Sequence, residues 1–283
     1  MTSRYGDSSV IEDFVLDAHG ESLEIRIILD WREKSRLLKL RLPTLVQDPA
    51  ATYEVPYGAL ERPADGEEEP GQRWIDVSGR IGEEMFGLAV LNDGKYGFDI
   101  RGGELGVTAV RSPIYAHHEP TSPKSGVRYQ FQDQGLQRFR LALAPHRGAW
   151  SEAGLARRAA QFNQRPTVLL ESAHPGPLPL VASYASIEPD HVVIGALKLA
   201  EDGDELVVRI VETAGRGARA IAKLPDRDQP LEVDIGPFEI RTFRVRSADT
   251  GGAAVETDLL ERPLEAIDSN LEIAPDGTAA TTA

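Results

Sequence analysis

Alternation with a period of two constrains this chain more than any other feature. In "SLEIRIILDW", Leu23, Ile25, Ile27 and Leu29 fall on one side, with Glu24, Arg26 and Asp30 on the other. "LLKLRLP" sets Leu38, Leu40 and Leu42 against Lys39 and Arg41, and "QRFRLALAPH" sets Phe139, Leu141 and Leu143 against Arg140 and Ala142. "DELVVRIVET" and "PFEIRTFRVR" repeat the pattern further on. Successive side chains of a strand point to opposite faces of its sheet, so each stretch reads as a strand with one buried face. The 26 glycines and 19 prolines punctuate the spaces between them, as short strands joined by turns require.

One segment departs from that rhythm. "WSEAGLARRAAQFNQRP" carries Leu155, Ala159 and Phe162 at helical spacing, with Ser151 as N-cap and Pro166 as stop. This predicts one helix near 151–164, packed over the edge or end of a sandwich. "RPTVLLESAHPGPLPLVASYASIEP" is Pro-rich and reads as a connector, and a smaller β unit follows over about 178–247. The predicted fold class is all-β: a large antiparallel β-sandwich and then a smaller one, with the helix between them. The expected domains are 1–165 for the large sandwich, 166–247 for the smaller one with its connector, and 248–283 for an acidic tail. That tail holds eight acids against Arg262, half of the chain's net charge of −14, and its last ten residues or so are expected to be loosely held.

Composition narrows the function classes. With 283 residues and 41% hydrophobic residues the chain can bury a sizeable core without staples. Nothing approaches the roughly 20 consecutive apolar residues that span a bilayer. "MTSRYGDSSV" lacks the basic and apolar regions of a secretory signal. The absence of cysteine excludes disulfides, thiolate metal sites and a cysteine nucleophile within this sequence; the expected compartment is the cytoplasm. Acids outnumber basic residues 45 to 31, which argues against a nucleic-acid or anionic-membrane partner.

Chemistry-bearing motifs are sparse. Of six histidines only His117 and His118 are neighbours, in the loop "AHHEP", and adjacent residues of an extended chain point apart, which suits no shared metal. There is no nucleophile elbow or P-loop, and "RGGELG" lacks the strand-to-helix setting of a phosphate site. A glycosidase needs two carboxylates across a cleft. Asp93, Asp99, Asp133 and Glu61 lie in predicted strand-end loops, and no pair stands out. Trp31, Trp74 and Trp150 fit core packing better than a sugar platform. The most unusual stretch is "LNDGKYG", residues 91–97. It ends an apolar run with Asn92, Asp93, Lys95 and Tyr96 in one tight loop, which suits either ordinary surface packing or a loop aimed at a ligand.

Several stretches taken in order resemble one family. "RYGDSSVIEDFVLDAHGESLEIRIILDWREKSRLLKLRLP", "ATYEVPYGALERP", "QRWIDVS", "GLAVLNDGKYGFDIRGGELGVTAVRSPIY", "DQGLQRFRLALAPHRGAW", "ALKLAEDGDELVVRIVETAGR" and "FEIRTFRV" are similar to the C-terminal β region of the family-38 glycoside hydrolases, the α-mannosidases. The likeness covers about residues 4–247, and "ETDLLERP" in the tail fits it as well.

The resemblance implies a supersandwich-like large domain belonging to a zinc-dependent, retaining α-mannosidase. It also implies that the zinc ion, the nucleophile and the acid/base carboxylate reside in an upstream catalytic domain followed by a helical one. This chain is then expected to contribute no catalytic residue and no metal ligand, to be inactive alone, and to have those upstream domains as partners. His117 and His118 do not match the family's zinc-associated stretch. The loop matching "LNDGKYG" is implied to reach toward the sugar, making Asn92, Asp93, Lys95 and Tyr96 candidate substrate-binding residues; the other reading is a loop that packs against a neighbouring domain. Gln137 stands where relatives often carry His. Two alternatives remain: a stand-alone carbohydrate-binding or scaffold module, and a glycosidase whose acid pair lies within these loops. An uncovered docking face would also favour homo-oligomers.

Overall fold

In the computed structural model, residues 1–115, 123–177, 179–225, 229–246 and 253–264 are described, together with the backbone of 272–273 and 279–280. His117 and His118 lie outside the described residues. Two compact units divide the chain, Met1–Thr167 and Val168–Ala283.

The first unit holds β1 (Thr2–Tyr5), β2 (Ser8–Val15), β3 (Leu23–Trp31), β4 (Leu37–Pro43), β5 (Gln47–Val55), β6 (Gly58–Arg62), β7 (Glu69–Pro70), β8 (Trp74–Ile81), β9 (Glu84–Asn92), β10 (Gly97–Arg101), β11 (Glu104–Arg111) and β12 (Gly135–Arg147). Eight of them form one sheet in the order β1-β2-β3-β12-β9-β8-β5-β6; the other four form a second, β4-β11-β10-β7. Every pairing is antiparallel. The core between the sheets is the one the alternation predicts. Ile25, Ile27 and Leu29 of β3 and Phe139 and Leu141 of β12 pack with Phe98, Ile100, Leu105 and Val107, while Leu38, Leu40 and Leu42 close over them. Each such Leu or Ile contributes about 1.5–3 kcal/mol of burial.

The large sheet is covered on its other face as well. A 3-10 turn (Trp150–Glu152) leads into α1 (Leu155–Asn163), whose Leu155 and Ala159 pack on Trp74, Ala89, Leu91, Ala142 and Ala144. Trp150 and Trp74 stack with ring centroids 5.4 Å apart. Burial on both faces explains why "FGLAVL" runs almost continuously apolar, Val90 facing the inter-sheet core and Leu91 the helix. It also explains Ala142: the helix needs small residues beneath it. The start of the helix differs from expectation. Ser151 lies inside the 3-10 turn, and the N-cap is Gly154 in the left-handed region at φ 62°, so a backbone conformation suited to glycine replaces a side-chain cap.

The second unit holds β13 (Ser186–Glu188), β14 (Val192–Leu199), β15 (Leu206–Glu212), β16 (Ala218–Lys223), β17 (Leu231–Ile235), β18 (Ile240–Val245) and β19 (Ala254–Thr257), in sheets β13-β16-β17 and β14-β15-β18-β19. Val192, Val208, Ile210, Ala220, Val233 and Phe243 lie in its core. A separate ribbon pairs β20 (Glu272–Ile273) with β21 (Ala279–Ala280). The described residues of 164–185 form neither helix nor strand. Part of the acidic tail belongs to the sandwich: β19 pairs with β18, and Glu261 is buried against Lys198. Short polar strands at a sheet edge carry little hydrophobic signal, so composition alone assigned them to a tail.

Candidate functional site

The loop 92–97 begins where β9 stops and β12 continues. β12 pairs with β9 only over Leu141–Arg147, so its residues 135–140 have a sheet partner on the β3 side alone. The loop runs along that vacated edge and divides its side chains between the two faces of β12.

Asn92 organises the turn. It is fully buried, donates Nδ2–H to the Gln72 carbonyl at 2.7 Å, and accepts the Gly94 and Lys95 backbone N–H groups on Oδ1 at 3.0 and 2.9 Å. Its own carbonyl accepts from Asn163 Nδ2 at 3.0 Å, tying the turn to the last residue of α1. These contacts engage both ends of the amide, which is why an Asx-type turn prefers Asn here.

Asp93 turns to the helix-covered face and meets Arg140. Its two oxygens accept the Arg140 backbone N–H at 2.7 Å and Nε–H at 2.8 Å. The same guanidinium lies 4.5 Å from the Phe162 ring and donates to the Phe162 carbonyl at 3.0 Å.

Lys95 turns to the opposite face. Its Nζ donates to Gln137 Oε1 at 2.7 Å and sits 4.7 Å from the Phe139 ring centroid. Burial pushes its pKa below the ordinary lysine value, and the nearby charge of Asp133 offsets this only in part. Gln137, notable in the sequence only as a departure from relatives, is thus the partner that fixes this ammonium. Tyr96 is different from the rest: it is 54% exposed. The loop therefore unites all four predicted residues, two as braces, one as a half-buried cation and one open to solvent.

The candidate acids do not converge. Asp99 is buried on the small sheet between Lys39 and Arg41. Burial opposes its ionisation, but the hydrogen bonds from the two cations outweigh this and hold its carboxyl below the usual range. Asp133 accepts the Arg111 backbone N–H at 3.0 Å, and Glu61 is exposed on β6. Among the described residues no group of three or more His, Asp or Glu is placed to hold a metal ion.

One buried chain escaped sequence reading. Asp76 is fully buried and accepts from Ser78 Oγ at 2.5 Å, while its other oxygen lies 2.8 Å from His146 Nε2. The carboxylate bonds both the hydroxyl and the imidazole, an order unlike that of a nucleophilic triad, in which the histidine bonds the serine. Only the spacing of Ser78 and Asp76 on one strand face hinted at it; the histidine arrives from β12, two strands away.

The fold and the loop define a class of chain: two antiparallel sandwiches, the first of which holds a braced polar loop at the edge of its large sheet. The comparisons give the family. Residues 1–119 match the family described as "Glycosyl hydrolases family 38 C-terminal domain". Alpha-mannosidase G of Dictyostelium discoideum is 26% identical over 276 residues, 84% of this chain and 24% of that protein. Alpha-mannosidase 2C1 of Mus musculus is 32% identical over 221 residues, 74% of this chain and 19% of that one. The crystal structure of an alpha-mannosidase from Enterococcus faecalis V583 superposes with a TM-score of 0.68 at 18% identity, covering 84% of this chain and 29% of that one. The chain carries a C-terminal β region of glycosyl hydrolase family 38. It spans about a quarter or less of the length of these curated relatives.

Proposed function

We propose that this chain is the C-terminal part of a cytoplasmic, zinc-dependent, retaining α-mannosidase, and that its loop 92–97 forms one wall of the sugar cleft. The observation that carries the reading is the division of labour in the loop. Asn92 and Asp93 are spent on holding the backbone, the half-buried Lys95 ammonium is fixed by Gln137, and Tyr96 alone of the four is exposed. A rigid sandwich that holds such a loop supplies fixed donors at little entropic cost. Retaining hydrolysis passes through an oxocarbenium-like transition state, and hydrogen bonds to sugar hydroxyls strengthen there. Tyr96 O–H and Lys95 Nζ–H are suited to that role. In this reading the metal and both catalytic carboxylates belong to an upstream domain, as the family resemblance implies.

The test is hydrolysis of 4-nitrophenyl α-mannoside by the longer protein that contains this chain. Tyr96→Ala is expected to lower kcat/KM by about ten-fold, the loss of one hydrogen bond of about 1.4 kcal/mol in the transition state, and the 283-residue chain alone is expected to be inactive. Turnover by this chain alone would place the catalytic groups within it and overturn the reading. Mannose affinity without any turnover in the longer protein would favour a stand-alone carbohydrate-binding module.

A further inference from the structure

A polar cavity of about 1010 Å³ opens in the first unit. Three kinds of side chain line it in pairs: the cations Lys34 and Arg128, the aromatics Tyr129 and Phe131, and the amides Gln130 and Gln134. Backbone and side-chain bonds bring its walls together. Gln134 Nε2 donates to the Glu33 carbonyl at 2.8 Å, Tyr115 N–H to the Gln130 carbonyl at 2.8 Å, Gln132 N–H to the Pro113 carbonyl at 3.0 Å, and Lys124 N–H to Tyr129 Oη at 3.0 Å.

Charge makes this cavity unusual. The protein as a whole is at −14, yet segments 30–36, 111–115 and 123–138 carry seven Lys or Arg against Asp30, Glu33 and Asp133. Those three acids are engaged locally: Asp30 with Arg32, Glu33 with the Asp7 backbone N–H and Ser8 Oγ, Asp133 with the Arg111 backbone N–H. Neither Lys34 nor Arg128 forms an ion pair with a carboxylate among the described residues. The Lys34 ammonium is held 5.4 Å from the Phe131 ring centroid, and both cations are exposed. A guanidinium offers two parallel donors to a phosphate or carboxylate, and an ammonium supplies a point charge beside it. Half-buried aromatic rings present flat apolar faces that suit the C–H face of a sugar ring, and glutamine amides suit its hydroxyls.

We propose that this cavity binds an anionic saccharide, with its phosphate or carboxylate between Lys34 and Arg128 and its ring against Tyr129 and Phe131. No residue of the 92–97 loop lines the cavity, and binding there is read without any hydrolysis, so its failure and the failure of the mannosidase reading are separate results.

The experiment is isothermal titration of the 283-residue chain with mannose 6-phosphate, mannose and inorganic phosphate as probes. Mannose 6-phosphate is expected to bind about ten-fold or more tightly than either of the others, and to weaken as ionic strength rises. Lys34→Gln and Arg128→Gln, both at exposed positions, are each expected to weaken it by about ten-fold, with circular dichroism unchanged. Three results would overturn the proposal: no mannose 6-phosphate binding, phosphate binding as tightly as the sugar phosphate, or an affinity indifferent to both substitutions. The second would show a basic anion patch without a sugar site.

Discussion

Asp93 and Arg140 meet twice at the point where β9 leaves the large sheet: one carboxylate oxygen accepts the arginine's backbone N–H at 2.7 Å, the other its Nε–H at 2.8 Å. The aspartate thereby supplies to β12 one of the hydrogen bonds that a continuing β9 would have made. The guanidinium carries the restraint on to Phe162 in α1, so loop, strand and helix are joined through one ion pair.

Asp93→Ala removes both bonds and leaves the mostly buried Arg140 with only its longer 3.4 Å contact to Glu24 as a carboxylate partner. A destabilisation of about 2 kcal/mol is expected from urea unfolding. Amide exchange at 92–97 should accelerate more than exchange in β4 or β11. Unchanged exchange in the loop would show that Asn92 alone holds it.

Lys95 gives a pH signature. Its folded-state pKa is lowered chiefly by burial, so above the folded value and below the ordinary value of 10.5 the unfolded chain binds more protons than the folded one. Its contribution to stability therefore rises with pH through that window and is least favourable below it. Lys95→Met should flatten the rise, measured as unfolding free energy against pH for the two proteins. A slope equal in both would remove Lys95 from the account.

Glu212, at the end of β15, is fully buried and accepts four backbone N–H groups: Ala214, Gly215, Arg216 and Phe238, at 2.7–3.2 Å. Glu212→Ala leaves these donors without their acceptor and should cost the second unit about 3 kcal/mol, whereas Glu212→Gln, which keeps one acceptor oxygen, should cost less. Thermal unfolding followed by amide exchange in β15 and β18 distinguishes the two.

Gly87 permits the Asp76–His146 contact. A Cβ at that position would fall on the His146 ring and lie 2.7 Å from Ser78 Oγ. Gly87→Ala is expected to displace the imidazole and destabilise the first unit by about 2–3 kcal/mol, the cost of overpacking together with a carboxylate deprived of its partner. Retention of the His146 side-chain shifts in an NMR spectrum of the variant would contradict that geometry.

Much of the fold was legible because a strand buried on one face must alternate. Ile25, Ile27 and Leu29 and their partners on β12 sit where the pattern predicts, and both tryptophans of the strands are core residues. Alternation fails where both faces are covered, as in β9, and where neither carries large apolar residues, as in β19. Leu155, Ala159 and Phe162 mark the helix, yet it starts after Ser151, because the N-cap is a glycine in a left-handed conformation, which no side-chain pattern announces.

The candidate site divides in the same way. Local sequence determined that residues 92–97 form a tight polar turn, since Asn92 bonds to amides two and three residues ahead. It could not assign work to Asp93 or Lys95, whose partners Arg140 and Gln137 lie more than forty positions away. The Asp76–His146 pair, 70 positions apart, and the cationic cavity around Lys34 and Arg128 were equally out of reach. The sequence by itself determined the class of fold, the family and the position of the loop, because period, turn chemistry and ordered motifs are properties of neighbouring residues. Only the tertiary structure decided which polar side chains are braces and which face outward, because an antiparallel sheet brings distant strands into register and long-range pairing leaves no periodic trace in the chain.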